Sequence, residues 1–195
     1  MPVSGLLLAA GAGRRFGSPK ALVRHRGELF VEHAARVLCE AGCEPVVVVL
    51  GAAADQVRAQ AHLNGAVLVN NPDWAGGMGS SLRVGLTGLA GATAVVVLPV
   101  DTPWVTAEAV RRLADMAAPD ALARASYDGH PGHPVLIGSD HWAGVAELST
   151  GDAGAREYLR RHAVVDVPCE DIADGSDVDR PEDLQFRSET SAPPV

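Results

Sequence analysis

Leu8-Ala9-Ala10-Gly11-Ala12-Gly13-Arg14-Arg15-Phe16-Gly17-Ser18-Pro19-Lys20 is the stretch on which the reading of this 195-residue chain turns. It emerges from an apolar run, residues 3–8, with the length and continuity of a buried strand. Three glycines, two arginines and a lysine are then packed into ten residues, Gly11 to Lys20. Glycines let a backbone turn tightly and bring its N–H groups close to an anion. Arginine supplies charge in a fork that matches phosphate, and lysine supplies a point charge. A glycine-rich loop after the first strand, armed with cations, predicts a site for a nucleoside triphosphate.

Two common phosphate loops do not fit the spacing. The Walker pattern ends in Gly-Lys-Ser/Thr, whereas Lys20 follows Pro19 and precedes Ala21. The dinucleotide fingerprint G-x-G-x-x-G is missed by one residue, since Gly11, Gly13 and Gly17 give G-x-G-x-x-x-G. A flexible glycine loop with solvated charges is the plain structural alternative.

Outward from this loop, continuous apolar runs recur at 45–50, 66–69 and 94–98, short and rich in β-branched residues. Such runs predict strands covered on both faces. Between them, apolar spacing near 3.6 predicts helices over 28–41, 53–62 and 78–89. This alternation means βαβ units, a mostly parallel sheet and right-handed crossovers, hence an α/β fold. Ligands of open α/β sheets sit beyond the carboxyl ends of the strands. That rule gathers the Gly11–Lys20 loop, Asn70-Asn71 and Asp101 at one rim. After Pro119, segments 121–127 and 134–137 flank Asp128-Gly129-His130-Pro131-Gly132-His133, a hairpin or an inserted loop. A helical pattern over 153–162, a strand at 163–167 and a helix beginning at Pro181 follow. Residues after Arg187 are polar and proline-tipped, so a disordered tail is expected over 188–195, leaving one domain over 1–187.

Composition sets bounds. Apolar residues are 47% and charged residues 21%, as in ordinary globular proteins. A net charge of −8 argues against nucleic-acid binding but leaves room for one polyphosphate among clustered cations. Cys39, Cys43 and Cys169 lack metal-ligand spacing and read as reduced thiols of a cytoplasmic protein. Neither a signal peptide nor a membrane span is expected.

Two aspartates stand out. Asp101 ends the most hydrophobic strand, in Leu98-Pro99-Val100-Asp101-Thr102-Pro103, where it could hold a hard cation or cap the helix near Thr106. Asp179 has the same two readings, and paired with Asp101 it completes the two carboxylates that Mg²⁺ commonly takes. Asp128, His130 and His133 suggest a transition-metal site only weakly, among turn residues and without a fourth ligand. Asp171, Asp174 and Asp177 read as a solvated loop.

Residues 8–20, Leu98-Pro99-Val100-Asp101 and Asp177-Val178-Asp179-Arg180-Pro181-Glu182-Asp183-Leu184 resemble the three signature blocks of the molybdenum cofactor nucleotidyltransferases. Asn71-Pro72-x-Trp74-x-x-Gly77-Met78-x-Ser80-Ser81-Leu82, Gly132-His133-Pro134-Val135 and Gly151-Asp152-x-Gly154-Ala155-Arg156 resemble the cytidylyltransferase branch. So does Ala10, where the guanylyltransferase branch usually has a second glycine.

The resemblance implies a three-layer α/β/α domain with a Rossmann-like sheet, similar to nucleotide-diphospho-sugar transferases. It implies transfer of CMP from CTP to the terminal phosphate of molybdopterin, with Mg²⁺ as cofactor. Leu8, Ala9, Ala10 and Gly11 would touch base and ribose through backbone, beside Gly13. Arg14, Arg15 and Lys20 would hold the triphosphate, with Lys20, Arg15 and Asp101 catalytic and Asp101 and Asp179 on the metal. Asn70 or Asn71, with Ser81, would lie near the nucleotide. Ser80, Ser81, His133, Asp152 and Arg156 would face the acceptor, although the serines also read as ordinary helix-start residues. A molybdenum hydroxylase would receive the product. The rivals are a GTP-using or sugar-type nucleotidyltransferase, a nucleotide-dependent oxidoreductase, and a cofactor-carrying chaperone without catalysis.

Overall fold

The computed structural model describes residues 2–89 and 91–188, without the side chains of 185–188; the expected tail at 189–195 lies outside the described residues. In chain order the strands are β1 (Val3–Ala9), β2 (Arg24–His25), β3 (Glu28–Leu29), β4 (Val46–Leu50), β5 (Val67–Asn70), β6 (Ala94–Pro99), β7 (Leu122–Tyr127), β8 (His130–Gly138) and β9 (Val165–Pro168). The α-helices are α1 (Phe30–Glu40), α2 (Ala54–Gln60), α3 (Met78–Thr87), α4 (Ala107–Ala114), α5 (Trp142–Leu148), α6 (Arg156–Arg160) and α7 (Pro181–Ser188).

Seven strands form one sheet in the order β5-β4-β1-β6-β8-β7-β9, while β2 and β3 make a separate small hairpin. Each pairing is parallel except those of β8, which runs against both β6 and β7. Its reversal has a local cause. Asp128 and Gly129 both carry positive φ, 50° and 78°, as a two-residue type I′ turn requires. The segment left open between hairpin and insertion is therefore a hairpin whose second strand is laid beside β6.

Alternate residues of the central strands feed two cores. Leu7 and Ala9 of β1, Val48 and Leu50 of β4, and Val96 and Leu98 of β6 face α1, α2 and α4. Leu6 and Leu8, Val47 and Val49, and Val95 and Val97 face α3, α5 and α6. Because both faces are covered, these strands are apolar at every position, which is the physical basis of the continuous runs in the sequence. Thr106 caps α4, its Oγ1 accepting from Ala109 N at 3.2 Å. The predicted helix over 153–162 is broken by Gly154, whose positive φ of 53° separates a 3₁₀ turn at Gly151–Ala153 from α6. All three cysteines are free, with Cys43 and Cys169 buried and Cys39 exposed. No helix among the described residues is long and apolar enough to cross a membrane.

The order β5-β4-β1-β6 places the topological switch between β1 and β6, since the chain leaves β1 toward one side and reaches β6 on the other. A crevice opens at such a point beyond the strand ends. The glycine-rich loop and Asp101 are the two segments that emerge there.

Candidate active site at the switch point

Lys20 lies between two carboxylates. Its Nζ donates to Asp101 Oδ2 and to Asp179 Oδ1, each at 2.8 Å. Arg15 Nη1 donates to the second oxygen of Asp179 at 2.7 Å. Lys20 is the only lysine of the chain, against fifteen arginines. Three segments far apart in sequence thus meet: the loop after β1, the loop after β6 and the approach to α7. Their backbones are tied as well. Val100 N donates to Leu8 O at 3.1 Å, and Val178 N donates to Asp101 O at 2.8 Å. Asp183 in the first turn of α7 accepts from Asp179 N and Arg180 N, both at 2.8 Å, which fixes the Asp179 backbone.

The charges shift one another. Partial burial works against the ammonium of Lys20, but the two carboxylates together outweigh it and raise its pKa above the ordinary lysine value. The hydrogen bond from Lys20 holds Asp179 below the usual carboxylate range. Asp177 moves the other way. Protein packed around it, then the charges of Asp101 and Asp179, push its acid up to about 6, although part of its surface is open to solvent. It belongs to the carboxylate group at the rim rather than to the solvated loop expected from the acidic run. Its spacing of two from Asp179, in a non-helical segment, was the available signal.

A divalent cation fits this donor set. Two carboxylate oxygens already converge on one cationic point, and both are hard oxygen ligands of the kind Mg²⁺ or Mn²⁺ prefers. Among the described residues no cluster of three or more His, Cys, Asp or Glu side chains is arranged to hold a metal. Asp128, His130 and His133 accordingly form no such cluster, Asp128 being a turn residue. Two carboxylates leave the remaining positions to substrate phosphate and water.

The glycines of the loop have different duties. Gly13 has φ of +62°, and a Cβ there would stand 1.8 Å from Ser18 O. Gly11 has no neighbour within 4 Å of the corresponding point, so packing does not demand its missing side chain. Gly13→Ala should cost about 1–3 kcal/mol of strain, a fall of roughly 2–10 °C in Tm for a chain of this size. Gly11→Ala should leave Tm within about 2 °C of wild type and raise KM for the nucleotide. Thermal unfolding and steady-state kinetics on the pair check this contrast.

Several residues expected to meet substrate are committed to the protein instead. Asn71, Ser80 and Ser81 are buried. Asn71 Nδ2 donates to Ser80 Oγ at 2.8 Å and Ser81 Oγ at 3.0 Å, while its Oδ1 accepts from Asp73 N at 3.0 Å. Ser80 Oγ donates in turn to Gly77 O and Asp73 O, at 2.8 and 2.9 Å. This knot clamps the β5–α3 connection, so the structure gives the three residues a positioning role. Asn70 is exposed and accepts from Arg58 Nη2 at 2.8 Å. Ala10 is also buried, its methyl beside Gly51 and Trp74 rather than on an open pocket floor. Leu8 and Ala9 are buried in the strand, and Arg14 is exposed with no partner among the described residues.

On the other side of the rim, β8 runs antiparallel to β6 with Val135 opposite Val97, so His133 lies beyond the end of β6 and toward Asp101. Burial pushes its imidazole down to about 4, and it feels the charges of Asp101 and Arg156. His133 is therefore neutral near pH 7. Asp152 and Arg156 are exposed, and Asp152 Oδ1 lies 2.7 Å from where a Gly77 Cβ would be. Gly77 and Gly79 are small because the segment Ser149–Asp152 packs against the start of α3.

The model of the MobA-like NTP transferase domain matches residues 5–167. The chain belongs to this family. Among MobA-like relatives, nicotine blue oxidoreductase of Paenarthrobacter nicotinovorans is 40% identical over 192 residues, covering 93% of this chain and 94% of its own. The molybdenum cofactor guanylyltransferase of Rhodobacter capsulatus is 33% identical over 197 residues, covering 94% of each. The crystal structure of Rv0371c from Mycobacterium tuberculosis H37Rv, 29% identical, has a TM-score of 0.82 and covers 98% of this chain and 99% of that one. The same protein has been solved in complex with manganese. The nucleotide-diphospho-sugar transferase fold expected from the signature blocks agrees with these neighbours and with the observed sheet.

Proposed function

We propose that this MobA-like chain transfers CMP from CTP to the terminal phosphate of a molybdopterin-type cofactor. An oxygen of the acceptor phosphate forms the new bond to the α-phosphorus of CTP, the bond from that phosphorus to the bridging oxygen breaks, and pyrophosphate leaves. The observation that carries the reading is the solitary lysine held between Asp101 and Asp179 beside a loop of glycines and arginines at the switch point. The acceptor phosphate is already anionic near neutral pH, so the chain needs no strong general base. What it must supply is positioning and charge neutralisation.

Arg14, Arg15 and Lys20 would hold the triphosphate, Lys20 exchanging a carboxylate partner for a phosphate oxygen. Asp101 and Asp179 would hold Mg²⁺, which when bound neutralises charge on the phosphates. The open space at Gly11 supports placing base and ribose against that backbone. His133, neutral and near Asp101, and Arg156 would meet the acceptor side, and a molybdenum hydroxylase would take the product.

The base is the finer part of the proposal. Relatives of the guanylyltransferase name support molybdopterin chemistry in general, whereas Ala10 and the blocks around Trp74, His133 and Asp152 support CTP. The Ala10 methyl would act through the backbone it packs against Gly51. Discrimination by a misfitting group is worth about 10–200-fold. CTP should therefore exceed GTP by that factor in kcat/KM with a molybdopterin acceptor. A preference for GTP would overturn the cytidylyl assignment alone.

A second reading follows from the 40% identical relative named as an oxidoreductase. It predicts reduction of nicotine blue by a reduced nicotinamide dinucleotide, with no pyrophosphate released. The two carboxylates on Lys20 favour nucleotidyl transfer, since a hydride carrier has no use for a metal–triphosphate site.

A further inference from the structure

A second polar cleft, of about 270 Å³, opens between the β2–β3 hairpin, α1 and the loop after β6. It is lined by His25, Arg26, Glu28, His33, Pro103 and Trp104, among others. That volume is below the usual range for drug-sized ligands and suits a small ion. Three features of its lining are unexplained by the reaction above. First, His33 Nε2 is buried and has no hydrogen-bond partner among the described residues. An orphaned buried polar atom is costly and asks for a ligand. Its sister atom Nδ1 faces Arg36 Nη2 at 3.1 Å and Glu28 Oε2 at 3.3 Å. Arg36 can only donate, so acceptance by Nδ1 leaves the proton on Nε2, as does full protonation of the ring.

Second, Glu28 does not cancel the cations of the cleft. It is taken by Arg36, which donates from Nε and Nη2 to its two oxygens at 3.0 and 2.9 Å. Third, Arg26 is exposed and has no hydrogen-bond or ion-pair partner among the described residues. It occupies the first central position of the hairpin turn with φ of 52°, followed by Gly27 at 87°. Asn, Asp or Gly is the usual occupant there, because a larger side chain is strained in that conformation. An arginine is kept where the turn itself would favour asparagine.

We propose that this cleft binds a small oxyanion, a phosphate or carboxylate, between the Arg26 guanidinium and the His33 Nε2–H. The site is separate from Lys20, Asp101 and Asp179, and the inference does not depend on the nucleotidyl-transfer reading. It would hold the wall made by Pro103 and Trp104, two and three residues after Asp101.

The test is a titration of the full-length protein with inorganic phosphate, and separately with acetate, followed by NMR of ¹⁵N-histidine rings, with His33 assigned through His33→Gln. The expected result is a saturable shift of the His33 Nε2 resonance with at least one of the two anions, the responding one identifying the class. Arg26→Asn should raise Tm, because it relieves the turn, yet weaken that response at least tenfold. His33 unmoved by 50 mM of either anion, on the order of a hundred times a typical metabolite-level KM, would overturn the proposal. So would an unchanged response in a folded Arg26→Asn protein.

Discussion

Asp101→Ala should lower nucleotidyl transfer by more than about 10³-fold while the protein remains folded. The side chain has two jobs at once: it accepts from Lys20 at 2.8 Å, and it supplies one of the two oxygens that fit a divalent cation. Each preorganised electrostatic contact of this kind is worth on the order of 10²–10³ in rate. Stability is affected little. Asp101 fixes its surroundings through its backbone oxygen, which accepts from Val178 N at 2.8 Å and survives any side-chain change. Lys20 also retains Asp179, so no buried charge is stranded. Asp101→Asn, which keeps shape and loses charge, should be nearly as inactive. Wild-type turnover by Asp101→Ala at saturating Mg²⁺ would remove the shared metal site from the account.

Lys20→Ala should lower kcat/KM for CTP by roughly 10²–10³, the cost of losing one contact that matches charge as pyrophosphate departs. The position does not accept arginine as an equivalent. A compact ammonium reaches between two carboxylates 2.8 Å away on either side, whereas a guanidinium is a wide planar fork. The chain uses arginine at every other cationic position, so its single lysine marks a local requirement. Lys20→Arg should therefore recover less than about a tenth of the loss. A change below threefold in Lys20→Ala would reduce Lys20 to a surface residue.

The parts of the site that were legible in the sequence are those whose chemistry is local. The strand-to-glycine transition at Leu8–Gly11 and the apolar run ending in Asp101 each announce a strand end, and the parallel-sheet rule then puts both at one rim. Asp179 was legible only in partnership, since alone it is one acid among several. What stayed hidden depends on burial. Serines at a helix start look available until a buried amide, here Asn71, engages their hydroxyls. Asp177 looks solvated because its crowding arises from residues 76 positions away. Ala10 looks like a pocket floor because nothing local shows that Gly51 and Trp74 approach its methyl. In the fold, the helical period over 153–162 hid the break at Gly154, which periodicity does not register. The two-residue turn at Asp128-Gly129 was strong enough to suggest a hairpin, but not which neighbour its second strand would join.

The central claim, nucleotidyl transfer at the Lys20–Asp101–Asp179 site, is tested most directly by following the label of CTP carrying radioactive phosphorus at the α or the γ position. With molybdopterin and Mg²⁺, α-label should pass to the cofactor in equal amount to the γ-label recovered in pyrophosphate, and chelation of the metal should stop both. Failure of α-label to reach the acceptor from CTP, GTP, ATP or UTP, in a protein that folds and carries intact Lys20, would contradict the account.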